Sequence, residues 1–268
     1  MRTEVNGINI NYEKMGRGRD IVLLHGNGED HTMFFELATL LSTDFTVYAL
    51  DSRGHGESDP VDHLSYDDMA EDVVSFIKKK KLKHPILYGF SDGGILGLLI
   101  AIKHPGLLSK LITSGANLKP TGLQNWFLKQ CEIDWENEHS PLIELMLNQK
   151  EITHEELNTI NIPTLLLAGE NDLVKEAHTL SIHRNIANSK MQILPGEGQE
   201  HHIREQLHEE LPQEHSHQLP RWPQVVIRDL RCSHSHRYPL NVLQGLHLRC
   251  RLHWWPYLCS TLRPACHR

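Results

Sequence analysis

Apolar residues along this chain cluster into short runs separated by glycine-rich polar turns. Residues 21–24 (IVLL), 45–50 (FTVYAL), 86–88 (ILY), 111–113 (LIT), 163–168 (PTLLLA) and 191–194 (MQIL) are such runs. Their length and content predict buried strands. Between them the apolar spacing turns helical. Residues 31–41 (HTMFFELATLL) predict one helix. Ser65 with Asp68 predicts a capping-box start for another, which carries Met69, Val73, Phe76 and Ile77 on one face. The lysines at 78–81 then fall in its last turn, where cations are favoured, and read as a solvated helix end. Residues 94–103 are apolar nearly all round, and a further helix is expected over roughly 175–187. Near the start, two alternating runs flank Asn6-Gly7, the pair that favours a two-residue hairpin. Strands alternating with helices predict an α/β fold: a mostly parallel sheet covered by helices on both faces, with the hairpin as an antiparallel edge.

The stretch 85–104 (PILYGFSDGGILGLLIAIKH) holds the most chemistry. Gly89-Phe90-Ser91-Asp92-Gly93 fits G-x-S-x-G, with a strand before it and a helix after it. A strand that turns at once into a helix strains the apex residue and pushes its side chain out. Residues two positions either side must lack bulk so that strand and helix can approach. Ser91 is thereby expected at the carboxyl end of a strand, above the positive end of a helix. The bland alternative is a glycine-rich turn whose serine only caps the helix. Other candidates also follow apolar runs, where open α/β sheets gather their sites: His25-Gly26-Asn27, Asp51 and Asp172. His25 and His55 read as loop-shaping residues rather than bases.

Residues 1–198 resemble the α/β-hydrolase superfamily, in particular small bacterial hydrolases of esterase or lipase type. The matching segments are LLHGNG (23–28), DSRGHGES (51–58), LYGFSDGG (87–94), LLLAGENDLV (165–174) and ILPGEG (193–198). The resemblance implies Ser91 as nucleophile, Asp172 as the acid of a catalytic triad, and an oxyanion hole from the backbone N–H groups of Asn27 and Asp92. It also implies a small helical cap over about 117–160, holding Trp126, Phe127 and Trp135, and no cofactor. In such a site a histidine activates the serine and a carboxylate orients the histidine. The chain order is Ser, acid, His. A serine nucleophile argues against dehalogenase or epoxide-hydrolase chemistry, which needs a carboxylate there.

The expected histidine is missing from its usual place. The family pattern puts it directly after the second glycine of the last loop, and Gln199 stands there, followed by Glu200-His201-His202. Composition breaks at the same point. Residues 1–199 contain 13 Lys and 5 Arg, whereas 200–268 contain no Lys and 9 Arg, with ten of the 20 His and four of the five Cys. Three readings follow. The tail 200–268 is a replaced or out-of-frame sequence; or His201, with His202 beside it, supplies the base through an altered loop; or the tail is a metal module. Cys232, His234, His236, Cys250, His253, Cys259 and Cys266 are ligand types, but their spacing fits no paired zinc knuckle, so no metal site is assigned. Ile203, Leu207 and Leu211 would place an amphipathic helix over 200–211.

The domain expectation is thus a hydrolase core over 1–199 and an atypical segment over 200–268. A formal net charge of −7 gives no nucleic-acid or membrane surface. MRTEVNGINI has no apolar run of signal length, so a cytoplasmic protein is expected. Cys131 stands alone in the core and implies no disulfide. The functional expectation is a serine hydrolase cleaving a small carboxylic ester through an acyl-enzyme, with Ser91, Asp172 and His201 as the triad. A peptidase or C–C bond hydrolase would share these residues. The alternative is a catalytically impaired or non-enzymatic binding protein of the same fold, because of Gln199.

Overall fold

The structure is a computed structural model and describes residues 1–194. The chain divides into two units, Met1–His215 and Ser216–Arg268, and the described residues lie in the first. Gln199, His201, His202, the residues where a helix is expected over 200–211 and the cysteines of the tail fall outside them.

The described residues form a sheet of β1 (Arg2–Val5), β2 (Ile8–Gly16), β3 (Arg19–Leu24), β4 (Phe45–Leu50), β5 (Ile86–Phe90), β6 (Lys110–Ser114), β7 (Thr164–Gly169) and β8 (Ser189–Leu194). The order across the sheet is β1-β2-β4-β3-β5-β6-β7-β8. β2 runs antiparallel to both β1 and β4, and every other neighbouring pair is parallel. The hairpin turn is made by Asn6 and Gly7, both at positive φ (46° and 80°), as a tight two-residue turn requires.

Alternation along the strands separates two apolar layers. Ile21, Leu23, Ile86, Tyr88, Ile112, Leu165 and Leu167 pack with α1 (Phe35–Leu41), which follows a short 3-10 turn at His31–Phe34. Val22, Leu24, Leu87, Leu111 and Leu166 pack on the other side with α2 (Tyr66–Lys79) and α3 (Asp92–Lys103). Ile182 and Ile186, from and just after α7 (Glu176–Asn185), join that second layer. Helices therefore cover both faces, as the alternating pattern predicts.

Start and stop signals act where they were expected. The Ser65 hydroxyl accepts from the Asp68 N–H at the start of α2. The lysine run differs slightly from its reading. α2 ends at Lys79, Lys80 caps it, and Lys81 turns left-handed at φ 58°, so the run straddles the helix end. Between β6 and β7 lie α4 (Asn125–Glu138), α5 (Pro141–Leu147) and α6 (His154–Leu157), the helical insertion the sequence places there. Its aromatics divide: Phe127 is buried, whereas Trp126 is 65% exposed. Among the described residues, no helix is long and apolar enough to cross a membrane.

Candidate active site

β5, in the middle of the sheet, is buried along its whole length. It passes directly into α3 through Ser91, which sits at φ 51°, ψ −115°, a region that L-residues rarely occupy. The reason is local packing. A Cβ on Gly89 would overlap the Gly93 carbonyl, and one on Gly93 would overlap the Leu24 carbonyl. Both close approaches require glycine. The strain costs on the order of 1–3 kcal/mol. The burial of Ile95, Leu96, Leu98 and Ile100 on α3 outweighs it, at about 1.5–3 kcal/mol each. The Ser91 N–H donates to Ser114 O on β6 (2.7 Å), which anchors the turn to the sheet. Its side chain makes no capping hydrogen bond to α3, so the helix-cap reading of this serine does not hold.

The loop after β3 lies against this turn. A Cβ on Gly26 would stand 3.1 Å from Ser91 Cβ, and the Gly93 N–H donates to His25 O at 3.1 Å. Among the described residues, neither the Asn27 nor the Asp92 backbone N–H has a hydrogen-bond acceptor. The side chains of these two residues meet. Asn27 Nδ2 donates to Asp92 Oδ2 (3.0 Å) and to Leu142 O of α5 (3.1 Å). Tyr66 OH donates to Asp92 Oδ1 at 2.8 Å. Burial raises the Asp92 carboxyl above its ordinary range, against the lowering effect of the Asn27 and Tyr66 hydrogen bonds and the nearby His55.

Asp172 ends the β7 turn and is buried. Its carboxylate accepts from the Gly169 N–H (3.2 Å) and the Val174 N–H (2.8 Å). β7 lies two strands from β5, about 10 Å on normal sheet spacing. β8 ends at Leu194 beside it, with Leu194 O accepting from the Glu170 N–H at 3.0 Å. Ser91 and Asp172 thus end neighbouring parts of one sheet edge, and the described residues end at Leu194 on the Asp172 side.

The two histidines of the core loops are structural. His25 Nε2 accepts from the Ser52 N–H (2.9 Å), so its Nδ1–H donates to Gly26 O (2.7 Å). Burial, with the neighbouring His55, lowers its pKa to about 4 and keeps it neutral. His55 Nδ1 bonds Arg53 O at 2.9 Å. Asp51, the fourth strand-end candidate, is a brace. Its carboxylate accepts from Asn11 Nδ2, the Glu57 N–H and the His31 N–H. Burial opposes its ionisation, but these bonds outweigh burial and hold the carboxyl below its usual range. Asp30, His31 and Asp51 bring metal-ligand side chains within 4.8 Å of one another, yet Asp51 is already saturated by those donors.

A cavity of about 180 Å³ opens between α2, α3 and α5, with Leu64, Tyr66, Ile95, Leu99 and Leu145 in its walls. Ser91 is not among the lining residues. Tyr66 joins the two places, lining the cavity and bonding Asp92. Sequence reasoning missed Tyr66 and the Leu142 carbonyl, because nothing in their local pattern marks them.

A family described as alpha/beta hydrolase fold matches residues 21–134. The human "Serine hydrolase BPHL" is 30% identical over 245 residues, covering 76% of this chain and 81% of that protein. The chain belongs to the α/β-hydrolase superfamily. An esterase from Exiguobacterium antarcticum superposes with a TM-score of 0.63 at 25% identity, covering 76% of this chain and 93% of that one. Est816, described as an N-acyl homoserine lactone degrading enzyme, superposes with a TM-score of 0.71 at 18% identity, covering 79% of this chain and all of Est816. At that identity the second superposition speaks to the fold alone. As a superfamily member the chain is a hydrolase whose relatives are serine hydrolases.

Proposed function

We propose that this chain is a serine hydrolase that cleaves a small carboxylic ester through an acyl-enzyme. Ser91 Oγ attacks the carbonyl, the backbone N–H groups of Asn27 and Asp92 hold the oxyanion, and Asp172 orients the base. The observation that carries this reading is the strained Ser91 turn, with the Asp92 N–H next to it in the chain and the Asn27 N–H in the loop packed against it, neither with an acceptor among the described residues. Each such donor is worth roughly 3–4 kcal/mol toward the transition state. His201 is the proposed base, close in sequence to the Gln199 position where the superfamily pattern expects histidine. Esterase relatives support the choice of an ester substrate.

Gln199 supports a second reading, a hydrolase fold whose turnover is impaired. Glutamine cannot take and return a proton near neutral pH, and loss of a triad base costs on the order of 10⁶ in turnover. Burst and steady-state hydrolysis of p-nitrophenyl acetate separates the two. It is run on the full chain beside Ser91→Ala, His201→Ala and His202→Ala. Turnover that needs Ser91 and collapses with His201→Ala supports the triad. Collapse with His202→Ala moves the base by one residue. Activity that is absent, or indifferent to Ser91→Ala, leaves the impaired reading standing.

A further inference from the structure

Asn27 lies between Gly26 and Gly28, and Gly28 sits at φ 71°. Such a loop has little backbone stiffness of its own, since glycine opens conformations closed to other residues. The loop is braced at its ends by the Glu29 side chain, which accepts from the Gly26 N–H at 3.1 Å, and by the Gly93-to-His25 backbone bond. What holds Asn27 itself is its side-chain amide. One amide hydrogen goes to Asp92 Oδ2 and the other to Leu142 O. The second oxygen of Asp92 is held by Tyr66 OH, and Tyr66 and Asp92 are both buried. The two residues that would donate to an oxyanion are therefore tied to each other side chain to side chain. The tie is continued on one side by α2 and on the other by α5.

We propose that Tyr66 is a positioning residue for the oxyanion hole. Its hydroxyl fixes the Asp92 carboxyl, the carboxyl fixes the Asn27 amide, and the chain of bonds sets the spacing between the Asn27 and Asp92 N–H donors. The same amide ties that spacing to the seat of α5 through Leu142 O. This rests on the hydrolase reading, which gives those two N–H groups their role. Displacing a reacting group by about 1 Å costs on the order of 10²-fold in rate, and a side chain that sets such a distance acts on kcat rather than on substrate affinity.

The test compares the full chain with Tyr66→Phe, Asp92→Ala and Asp92→Asn, with Ser91→Ala as the zero-activity reference. The first readout is the backbone amide signals of Asn27 and Asp92 by ¹H–¹⁵N NMR, which need no turnover. The second is kcat and KM for p-nitrophenyl acetate. Tyr66→Phe keeps the ring and removes one donor. It is expected to shift the Asn27 amide signal and lower kcat by about tenfold to a hundredfold, with KM within about twofold. Asp92→Ala removes both acceptors and is expected to lose more. Asp92→Asn retains more turnover than Asp92→Ala, because an amide can still accept from Asn27 and donate to the Tyr66 oxygen.

An Asn27 amide signal unmoved by Tyr66→Phe overturns the proposal, whatever the turnover. A shifted signal with unchanged kcat in an active chain also overturns it. A fall in kcat matched by an equal rise in KM would mark a binding role instead and overturn positioning. Should the parent chain show no Ser91-dependent turnover, the hydrolase reading fails separately, and the amide signals alone decide whether Tyr66 sets the spacing.

Discussion

Two turns at the carboxyl edge of the sheet carry the candidate chemistry, and they are built in opposite ways. The β5–α3 turn forces Ser91 to φ 51°, ψ −115° and gives its side chain no capping bond. The turn after β7 satisfies its functional side chain with its own backbone, Gly169 N–H and Val174 N–H both donating to Asp172. On the hydrolase reading Ser91 must stay open to a substrate, and its turn is held by close packing behind it. On the same reading Asp172 must hold the base still, and its turn supplies hydrogen bonds to the carboxylate. One turn stores strain and the other is braced by hydrogen bonds.

Asp172→Asn breaks this comparison with the largest effect. On the hydrolase reading it drops kcat by about 10⁴, because an amide side chain favours the wrong imidazole tautomer. Folding stability should fall by only about 1–3 kcal/mol, since the amide oxygen keeps one of the two loop N–H bonds while its NH2 group faces the other donor. Steady-state kinetics and a urea titration on the same preparation check both halves. Equal stability with unchanged kcat would remove Asp172 from the site.

The corresponding change behind Ser91 inverts the pattern. Gly93→Ala places a methyl carbon into the Leu24 carbonyl, a rigid backbone atom at the centre of the sheet. The expected loss is more than about 4 kcal/mol of stability, at the upper end of single substitutions. Soluble yield and the urea midpoint would show it. A well-folded Gly93→Ala chain would mean that α3 can slide away from β3, and the packing account of the turn would fall.

These contrasts also mark where sequence reading succeeds. The Ser91 turn, the Asn6-Gly7 hairpin and the strand–helix alternation were legible because each is a local rule: steric room, turn chemistry or periodicity. The Tyr66–Asp92–Asn27–Leu142 chain was not. It joins positions up to 115 residues apart, and no local spacing announces a hydrogen bond made by tertiary packing. Asp92 was noted only for its backbone N–H, while its buried carboxyl holds the network together. Trp126 shows the converse: an aromatic residue in the insertion stands out in the sequence, yet it is exposed where Phe127 beside it is buried. His201 and Gln199, where sequence departs from the superfamily pattern, lie outside the described residues.

The loop packed against the Ser91 turn has its own acid limit. His25 is buried, neutral and held at a pKa of about 4, against about 6.5 in an unfolded chain. Between those values the unfolded state binds the extra proton, so stability rises with pH from about 4 to 6.5 and is lost as pH falls through that window. The full shift corresponds to about 3 kcal/mol. Asp92 works the other way: its raised pKa means the folded state holds the proton longer, and stability falls as pH rises past the unfolded value. Urea midpoints from pH 7 to 4 should therefore fall less steeply in His25→Gln than in the parent. An identical slope would mean that another group governs acid unfolding.

The smallest effect tests whether the strain at Ser91 is real. Ser91→Gly abolishes the proposed nucleophile, and glycine occupies φ 51°, ψ −115° without a clashing Cβ. The strain released is of order 1–3 kcal/mol, offset by about 0.5–1 kcal/mol of added unfolded-state entropy. A net gain of roughly 1 kcal/mol over Ser91→Ala is expected, read as a higher urea midpoint with an unchanged slope. His139 supplies the control. It caps α4 at φ 48°, ψ 38°, an ordinary left-handed position, and its ring meets Trp135 at 5.0 Å. His139→Gly loses that contact and releases little strain, so its net change should be near zero. If the two glycine substitutions behave alike, Ser91 stores nothing beyond what any left-handed cap stores. If only Ser91→Gly stabilises, the chain gives up stability at the turn that presents the proposed nucleophile.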